Sequence, residues 1–175
     1  MPEPGTSAVA EPSSPAGPLA TVYPLDEGLT DAIVVRCADP RFRRAFDAFV
    51  SDLGIRHPAT IAVTGSIKSF GLQAYVPKEW HALNKQLELI ATRHDHVERV
   101  VLITHEDCQS YRASAHLLGG LGQLLARQRG HLLALAKYLR ERYLQGAAFE
   151  LYHARLVPHG DGKGVQFERI AATSP

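Results

Sequence analysis

The sequence predicts an α/β protein in which a mostly parallel central sheet is flanked by helices, with a C-terminal antiparallel hairpin at the sheet edge. Short β-branched apolar runs at residues 33–35 and 100–103 are typical of buried strands. Amphipathic stretches with helical spacing lie between the predicted strands. Two segments of alternating polarity close the chain around a glycine-rich turn. Alternating strands and helices followed by a hairpin favour this class of sheet.

The chain divides into a short N-terminal segment and one domain. Residues 1–25 are rich in Pro, Ala, Ser, Gly and Glu, which predicts a disordered or arm-like segment. The segment of residues 26–175 is long enough to bury the core of a single α/β domain. Residues 1–20 contain neither Lys nor Arg and no continuous apolar run, so we do not expect a secretory signal.

The first half of the domain alternates strand, helix and strand. We expect the first strand over residues 31–36 and a second over residues 59–63, with residues 67–76 as a loop because they contain Gly71. A helix of about a dozen residues follows the first strand, and Gly54 ends it. The residues of this helix that share its apolar face are Phe42, Phe46, Phe49, Val50 and Leu53.

The second half begins with a helix from Pro77, a residue that fits the first turn of a helix, to about Arg93. A third strand is expected over residues 98–104. The remaining predicted elements are two helices at 110–118 and 121–144, broken at two adjacent glycines, and two strands at 148–156 and 164–170 joined by the turn at 159–164.

Composition narrows the function without identifying it. A net charge of +1 gives no reason to expect a nucleic-acid partner or an anionic membrane partner. An apolar content of 45% and a charged content of 21% are ordinary for a soluble domain, and no apolar run reaches the roughly 18 residues of a membrane span. The two cysteines, without an export signal, predict a reducing, cytoplasmic location.

Three residues that can bind a soft metal ion follow the first and third predicted strands. Cys37 ends the first strand, and His105 and Cys108 follow the third with a His-x-x-Cys spacing. Thiolate and imidazole ligands suit zinc, and three protein ligands leave a fourth position open, as in catalytic sites. The sheet brings the three together only if its first and third strands are adjacent. Zinc would then lower the pKa of its bound water to about 7.

Two charged residues beside Cys37 complete the predicted chemistry. Asp39 can accept a hydrogen bond from water on the metal and orient it. Arg41 can hold that carboxylate bidentately and keep it ionised. Without Arg41, Asp39 could instead swing onto the metal and block the open position, so the pair is also a candidate switch.

Other interpretations of these residues remain open at this point. A cysteine at a strand end is often a small buried apolar residue, and an Asp-x-Arg pair is often a surface ion pair. A disulfide between Cys37 and Cys108 is geometrically conceivable, although it leaves His105 without a role. Metal binding is favoured because both cysteines of the chain fall at the ends of predicted buried strands.

At these residues the sequence resembles the β-class carbonic anhydrases. The signature of that family, Cys-x-Asp-x-Arg followed by a later His-x-x-Cys, stands here as Cys37-Ala-Asp39-Pro-Arg41 and His105-Glu-Asp-Cys108. The resemblance implies zinc held by the Cys-His-Cys set, an Asp39–Arg41 catalytic dyad, and reversible hydration of carbon dioxide to bicarbonate through a zinc-bound hydroxide. It also implies a homodimer or a higher homo-oligomer.

The sequence departs from the family pattern around this site. Gln109 stands where a glycine usually follows the second cysteine, Pro40 lies between Asp39 and Arg41, and Thr64-Gly65-Ser66 replaces the family's Arg-Asn-Ala-Gly stretch. An altered pocket wall suggests two alternatives. One is hydrolysis of a related small substrate such as carbonyl sulfide or carbon disulfide. The other is a divergent paralogue that binds zinc without catalysis.

Overall fold

A five-stranded sheet forms the middle of the protein, and the computed structural model describes residues 24–94 and 96–171. In space, the strands follow the order β2-β1-β3-β4-β5. The first three pairings are parallel, and only β4 and β5 run antiparallel, at one edge. The predicted fold class is therefore confirmed. The strands are β1 (Ala32–Cys37), β2 (Pro58–Val63), β3 (Arg99–His105), β4 (Ala148–His159) and β5 (Gly162–Arg169).

Strands β1 and β3 are adjacent, which was the condition for a shared site at their ends. Val34 of β1 lies opposite Val101 of β3 in the parallel register. Both strands are almost wholly buried, because the sheet is covered on both faces. Side chains alternate between the two faces of a strand, so β-branched residues in succession fit a strand with helices on each side.

The helices divide between the two faces of the sheet. Helix α1 (Arg43–Asp52) covers one face and buries Phe46 and Val50. Helices α3 (Pro77–Arg93) and α5 (Leu124–Arg142) cover the other face, where their leucines pack against the side chains of β1 and β3 that point to that face. The remaining helices are short: α2 (Lys68–Gly71) and α4 (Gln109–Ala113).

The predicted helix over residues 77–93 agrees with the structure. The predicted hairpin also forms, with a turn of residues 160–161 that is shorter than the expected 159–164. Two local predictions of helix or loop were wrong. Residues 67–76 are not all loop, because α2 forms one turn there. The predicted helix at 110–118 ends at Ala113 and is followed by the 3-10 turn Ala115–Leu117. Each involves a single helical turn, for which sequence periodicity carries little information.

The predicted N-terminal segment at residues 1–25 lies outside the described residues except for its last two positions. Among the residues that are described, no helix is both long and apolar enough to cross a bilayer.

Candidate metal centre

The three predicted ligand residues meet at the carboxyl ends of β1 and β3. This is where the chain order reverses across the sheet, the usual place for a ligand site in such folds. Cys37 and His105 are the last residues of their strands, and Cys108 immediately precedes α4. Their ligand atoms all lie within 4.8 Å of one another, and each residue is at most 3% exposed. The structure therefore assembles a buried group that could hold a metal ion.

One ring nitrogen of His105 has a hydrogen-bond partner and the other has none. Its Nδ1 lies 2.8 Å from the carbonyl oxygen of Glu106, which can only accept, so Nδ1 carries the proton and donates it. The other nitrogen, Nε2, is buried and has no hydrogen-bond partner. The ring of Phe42 packs against the imidazole, with 4.1 Å between the centroids. A buried, unpartnered lone pair is costly unless something binds it, and a metal ion in this Cys-His-Cys group would do so.

Both cysteines are free thiols, so the alternative of a disulfide between them does not apply in this structure. The amide of Gly65, just after β2, donates to the Sγ atom of Cys37 over 3.3 Å. Hydrogen bonding from Cys108 lowers the pKa of Cys37 to about 4, and the neighbouring imidazole and amides act in the same direction. The pKa of Cys108 is raised correspondingly, also by burial. Two sulfurs and one imidazole are the donor set that zinc prefers.

The end of β2 closes the site from the other side of β1. Gly65 has a φ of +80°, a conformation that glycine adopts without strain. A β-carbon placed on it would lie 2.7 Å from the hydroxyl oxygen of Ser110, so the backbone of Gly65 packs closely against that side chain. The next residue, Ser66, donates from its hydroxyl to the carbonyl oxygen of Ile103 over 2.8 Å, which ties this turn to β3.

Asp39 and Arg41 form the ion pair that the sequence predicts. Arg41 Nη2 lies 2.7 Å from Asp39 Oδ2, and Nε lies within 3.2 Å of both carboxylate oxygens. The amide of Arg41 also donates to Asp39 Oδ1 over 3.0 Å. These hydrogen bonds hold the pKa of Asp39 below its usual value, so the carboxylate stays ionised.

Sequence reasoning missed a second carboxylate at the same arginine. Asp107, an unassigned position of the His-x-x-Cys motif, accepts from Arg41 Nη1 over 3.2 Å and from Arg112 Nη1 over 2.9 Å. Its pKa is lowered by these two arginines, Arg41 first. The only signal in the sequence was an acidic residue inside a ligand motif.

A second missed residue supports the main chain of His105. Gln128 of α5 is 4% exposed, and its Nε2 donates to the carbonyl oxygen of His105 over 3.1 Å. Gln128 lies on a long helix without a recognisable motif, so the sequence did not indicate a role for it. The contact couples α5 to the loop that carries two of the candidate ligands.

A cleft of about 390 Å³ opens beside the candidate centre. Its lining includes both cysteines, the Asp39–Arg41 loop and three residues at which the sequence departs from the family pattern. The residues that line it are Cys37, Ala38, Asp39, Pro40, Arg41, Thr64, Cys108, Gln109 and Ser110. The candidate centre and the candidate acid–base pair therefore face the same space.

A buried histidine one strand away does not belong to the group. His153 of β4 lies opposite Thr104 in the register, with its Nδ1 3.2 Å from the Thr104 hydroxyl. Burial, helped by the charge of Arg129, lowers the pKa of His153 to about 4. His153 is therefore neutral at ordinary pH. Because it is buried but lies outside the group, it is a matched control for variants of the candidate metal centre.

No protein-family model matches the chain, and no curated protein matches it. Several solved structures do match the chain. The carbonic anhydrase from Glaciozyma antarctica aligns over 73% of this chain and 79% of its own, with 15% identity and a TM-score of 0.44. A tetrameric β-carbonic anhydrase from the filamentous ascomycete Sordaria macrospora aligns over 73% and 76%, with 14% identity and a TM-score of 0.42.

The β-carbonic anhydrase CafA of the fungal pathogen Aspergillus fumigatus aligns over 85% of this chain and 79% of its own, with 18% identity and a TM-score of 0.44. All three are carbonic anhydrases. The Sordaria macrospora and Aspergillus fumigatus proteins are β-carbonic anhydrases, the family whose signature the two motifs resemble. Similarity at this level says nothing about activity, which has to be judged from the residues of this chain.

Proposed function

We propose that the protein is a zinc-dependent lyase that catalyses the reversible hydration of carbon dioxide to bicarbonate. The observation that carries the proposal is the buried group of Cys37, His105 and Cys108, whose ligand atoms lie within 4.8 Å of one another. Within that group, His105 Nε2 is buried without a partner. A soft cation accounts for the burial of all three residues at once, whereas three unrelated structural roles do not.

Cys37 and Cys108 would bind zinc as thiolates, and His105 would bind it through Nε2 as a neutral imidazole. The hydrogen bond from His105 Nδ1 to the carbonyl of Glu106 fixes the tautomer that this requires. The amide of Gly65 stabilises negative charge on Cys37. Bound zinc would supply a Lewis acid that makes water an effective nucleophile near neutral pH.

Asp39 and Arg41 would orient the attacking water. An ionised Asp39 carboxylate has acceptor lone pairs that can take a hydrogen bond from water in the cleft. The bidentate grip of Arg41 keeps the carboxylate charged and directs it. The same contacts would also keep Asp39 from binding the metal ion itself, so that the position for substrate would stay free.

The cleft offers a surface suited to a small apolar molecule. Ala38 and Pro40 contribute apolar surface to it beside Cys37. Carbon dioxide has no net dipole and no hydrogen-bond donor, so an apolar wall favours its entry over water. The charged guanidinium of Arg41 at the same cleft would attract the anionic product bicarbonate.

The experiment that tests the proposal is a zinc determination on protein purified without added metal, with carbon dioxide hydration measured by stopped flow on the same sample. About one zinc per chain and rapid hydration are expected from a three-ligand catalytic site. Protein that contains no zinc and cannot be loaded with it contradicts the proposal.

Three variants assign the roles. Cys37→Ser is expected to lose zinc and activity together, and a variant with full hydration activity would contradict the ligand assignment. Asp39→Asn is expected to keep zinc and lose about a hundredfold in turnover, within the range typical of a general acid–base group. His153→Gln changes a histidine that is equally buried but lies outside the group, and it is expected to keep both zinc and activity.

Hydrolysis of carbonyl sulfide or carbon disulfide is a second candidate function. It is favoured by the three residues of the cleft wall, Pro40, Thr64 and Gln109, that differ from the family pattern and line the same space as Asp39. Zinc without carbon dioxide hydration, together with sulfide release from these substrates, would establish it. Zinc with neither activity would favour a non-catalytic zinc-binding paralogue.

We also propose a homodimer or a higher homo-oligomer, which light scattering on the purified protein would test. A cytoplasmic location stays a prediction from cysteine usage.

A further inference from the structure

The guanidinium group of Arg41 is held from two sides. Its Nε and Nη2 atoms contact the carboxylate of Asp39. Its Nη1 lies 3.2 Å from Asp107 Oδ2, and its Nη2 lies 3.2 Å from the carbonyl oxygen of Asp107. All three guanidinium nitrogens are thus bonded. The side chain of Arg41 is 49% exposed, and its Cζ lies 5.8 Å from the centroid of the Phe42 ring. Packing therefore covers only part of the side chain, and the polar contacts add to what orients the guanidinium.

Asp107 is itself fixed in place. Its other carboxylate oxygen, Oδ1, accepts from Arg112 Nη1 over 2.9 Å. Its φ is +56°, in the left-handed region that favours glycine and that only a few residue types tolerate. A backbone cost of this kind persists only where the surroundings stabilise it. Here the residue lies between His105 and Cys108 and reaches toward the Asp39 loop.

We propose that Asp107 is a positioning residue for the Asp39–Arg41 pair, and that Arg112 positions Asp107 in turn. This inference rests on the proposed function, because it assigns a role within that acid–base machinery. The result is an alternating row of charges, Asp39, Arg41, Asp107 and Arg112, that joins the loop after β1 to the loop after β3.

The second carboxylate would restrict the orientation of the Arg41 guanidinium. An arginine side chain has many rotamers, and an exposed ion pair holds it only weakly. A second carboxylate on the opposite edge of the guanidinium removes most of those rotamers, since both edges must be satisfied together. Because Asp107 belongs to the ligand loop, Arg41 is aligned with the candidate metal ligands as well as with Asp39.

The first test is a double-mutant cycle on hydration activity. Asp107→Asn keeps the size and the tolerance for positive φ, but it removes the negative charge and replaces one carboxylate oxygen with an amide nitrogen that cannot accept. It is expected to lower kcat/KM about fivefold, as for one exposed ion pair. In an Arg41→Ala background the same change is expected to have less than about a twofold effect, because its target is gone.

The matched control makes the same substitution at another Asp–Arg pair. Asp47 of α1 pairs with Arg36 of β1 over 3.1 Å, and neither residue lines the cleft beside the candidate centre. Asp47→Asn is expected to leave kcat/KM unchanged. Equal losses for Asp107→Asn with and without Arg41 would overturn the proposal, because the effect would then not pass through Arg41.

The second test does not depend on activity. In protein labelled with ¹⁵N-arginine, hydrogen bonds that slow rotation of the guanidinium give separate signals for the two Nη atoms, and Arg41→Ala assigns those of Arg41. Separate signals are expected in the parent protein and in Asp47→Asn, and merged signals in Asp107→Asn and in Arg112→Gln. Arg41 signals that stay separate in Asp107→Asn would overturn the proposal.

The two readouts separate failure of this proposal from failure of the proposed function. If the protein hydrates no carbon dioxide, the proposed function fails and the NMR signals alone decide whether Asp107 restrains Arg41. If hydration is rapid and the Arg41 signals are insensitive to Asp107, the proposed function stands and this inference fails.

Discussion

The side-chain amide of Gln128 lies 3.1 Å from the carbonyl oxygen of His105 and donates a hydrogen bond to it. Gln128 belongs to α5, which packs on one face of the sheet, and His105 ends β3. The helix therefore supports the backbone of a candidate ligand at a distance from the ligand atom. Groups that orient metal ligands in this indirect way commonly affect metal affinity.

Replacing Gln128 with methionine is expected to weaken zinc binding about tenfold, because the His105 backbone loses a fixed partner. The unfolding free energy is expected to fall by about 1 kcal/mol, the usual net value of one hydrogen bond. Competition with a chromophoric chelator measures the first effect, and urea unfolding measures the second. Gln166→Met, at an exposed position of β5, is the control. Unchanged zinc affinity in Gln128→Met would contradict this role.

Alanine at Gly65 is expected to be more damaging than alanine at Gly54. Both glycines have a positive φ, +80° and +75°, so both variants carry the backbone cost of about 1 to 2 kcal/mol. A β-carbon at Gly54 meets nothing within 4 Å, whereas one at Gly65 meets the Ser110 side chain at 2.7 Å. The extra cost at Gly65 is expected to be about 1 to 3 kcal/mol in urea unfolding.

A second substitution tests the cause of that difference. Ser110→Gly removes both side-chain atoms of Ser110 that a β-carbon at Gly65 would meet. It is therefore expected to recover part of the stability lost in Gly65→Ala, after its own effect is subtracted in a double-mutant cycle. Purely additive losses would show that the close approach does not limit this turn.

His153 is expected to make the protein less stable in acid. Its pKa is about 4 in the folded protein, and an unfolded histidine titrates near 6.5. As the pH falls below 6.5, the unfolded chain therefore binds a proton that the folded protein does not bind. The contribution of His153 to the unfolding free energy is fully present above pH 6.5 and is lost as the pH falls toward 4. Between about pH 7 and about pH 5 the loss from this group is roughly 2 kcal/mol.

The measurement is urea unfolding of the parent protein and His153→Gln at both pH values. The difference between the two proteins is expected to narrow in acid, since the variant lacks this group while all others titrate alike. A difference that is independent of pH would show that His153 titrates normally in the folded state.

If zinc occupies the candidate centre as proposed, its removal is expected to lower the unfolding free energy. A ligand that binds only the folded protein stabilises it by about 4 kcal/mol when its free concentration is a thousand times its Kd. Thermal unfolding with zinc and after chelation measures the change as a shift in Tm. The shift is expected to persist in His153→Gln and to vanish in Cys37→Ser. A shift of the same size in Cys37→Ser would mean that zinc acts elsewhere.

The sequence was informative where local pattern and topology agree. Strands β1 and β3 are runs of β-branched residues, and such runs reveal strands covered on both faces. Once they are adjacent, Cys37 and His105 must lie at the same edge of the sheet. The strand-and-helix order thus predicted the fold class, whereas the meeting of the three candidate ligands was predicted only on condition of that adjacency, which the structure supplies.

The features that escaped prediction depend on contacts between distant segments. Helix α2 is one turn long, and the ring of His131 packs directly over its Gly71. Asp107 acquires a role only because Arg41 comes within reach from another loop. Neither relation has a period or a spacing in the sequence, so no local pattern could indicate it.

The separation of Cys37 from His105 along the chain also bears on how fast the protein folds and unfolds. Helix α1, β2, α2 and α3 all lie between β1 and β3, so pairing these strands closes a long loop at an entropic cost. An ion that needs both strands can bind only after this step. Such an ion lowers the rate at which the β1–β3 pairing breaks on unfolding more than it raises the rate at which the pairing forms on folding. The supply of zinc would then govern how long each folded molecule survives, while the rate of folding stays nearly constant.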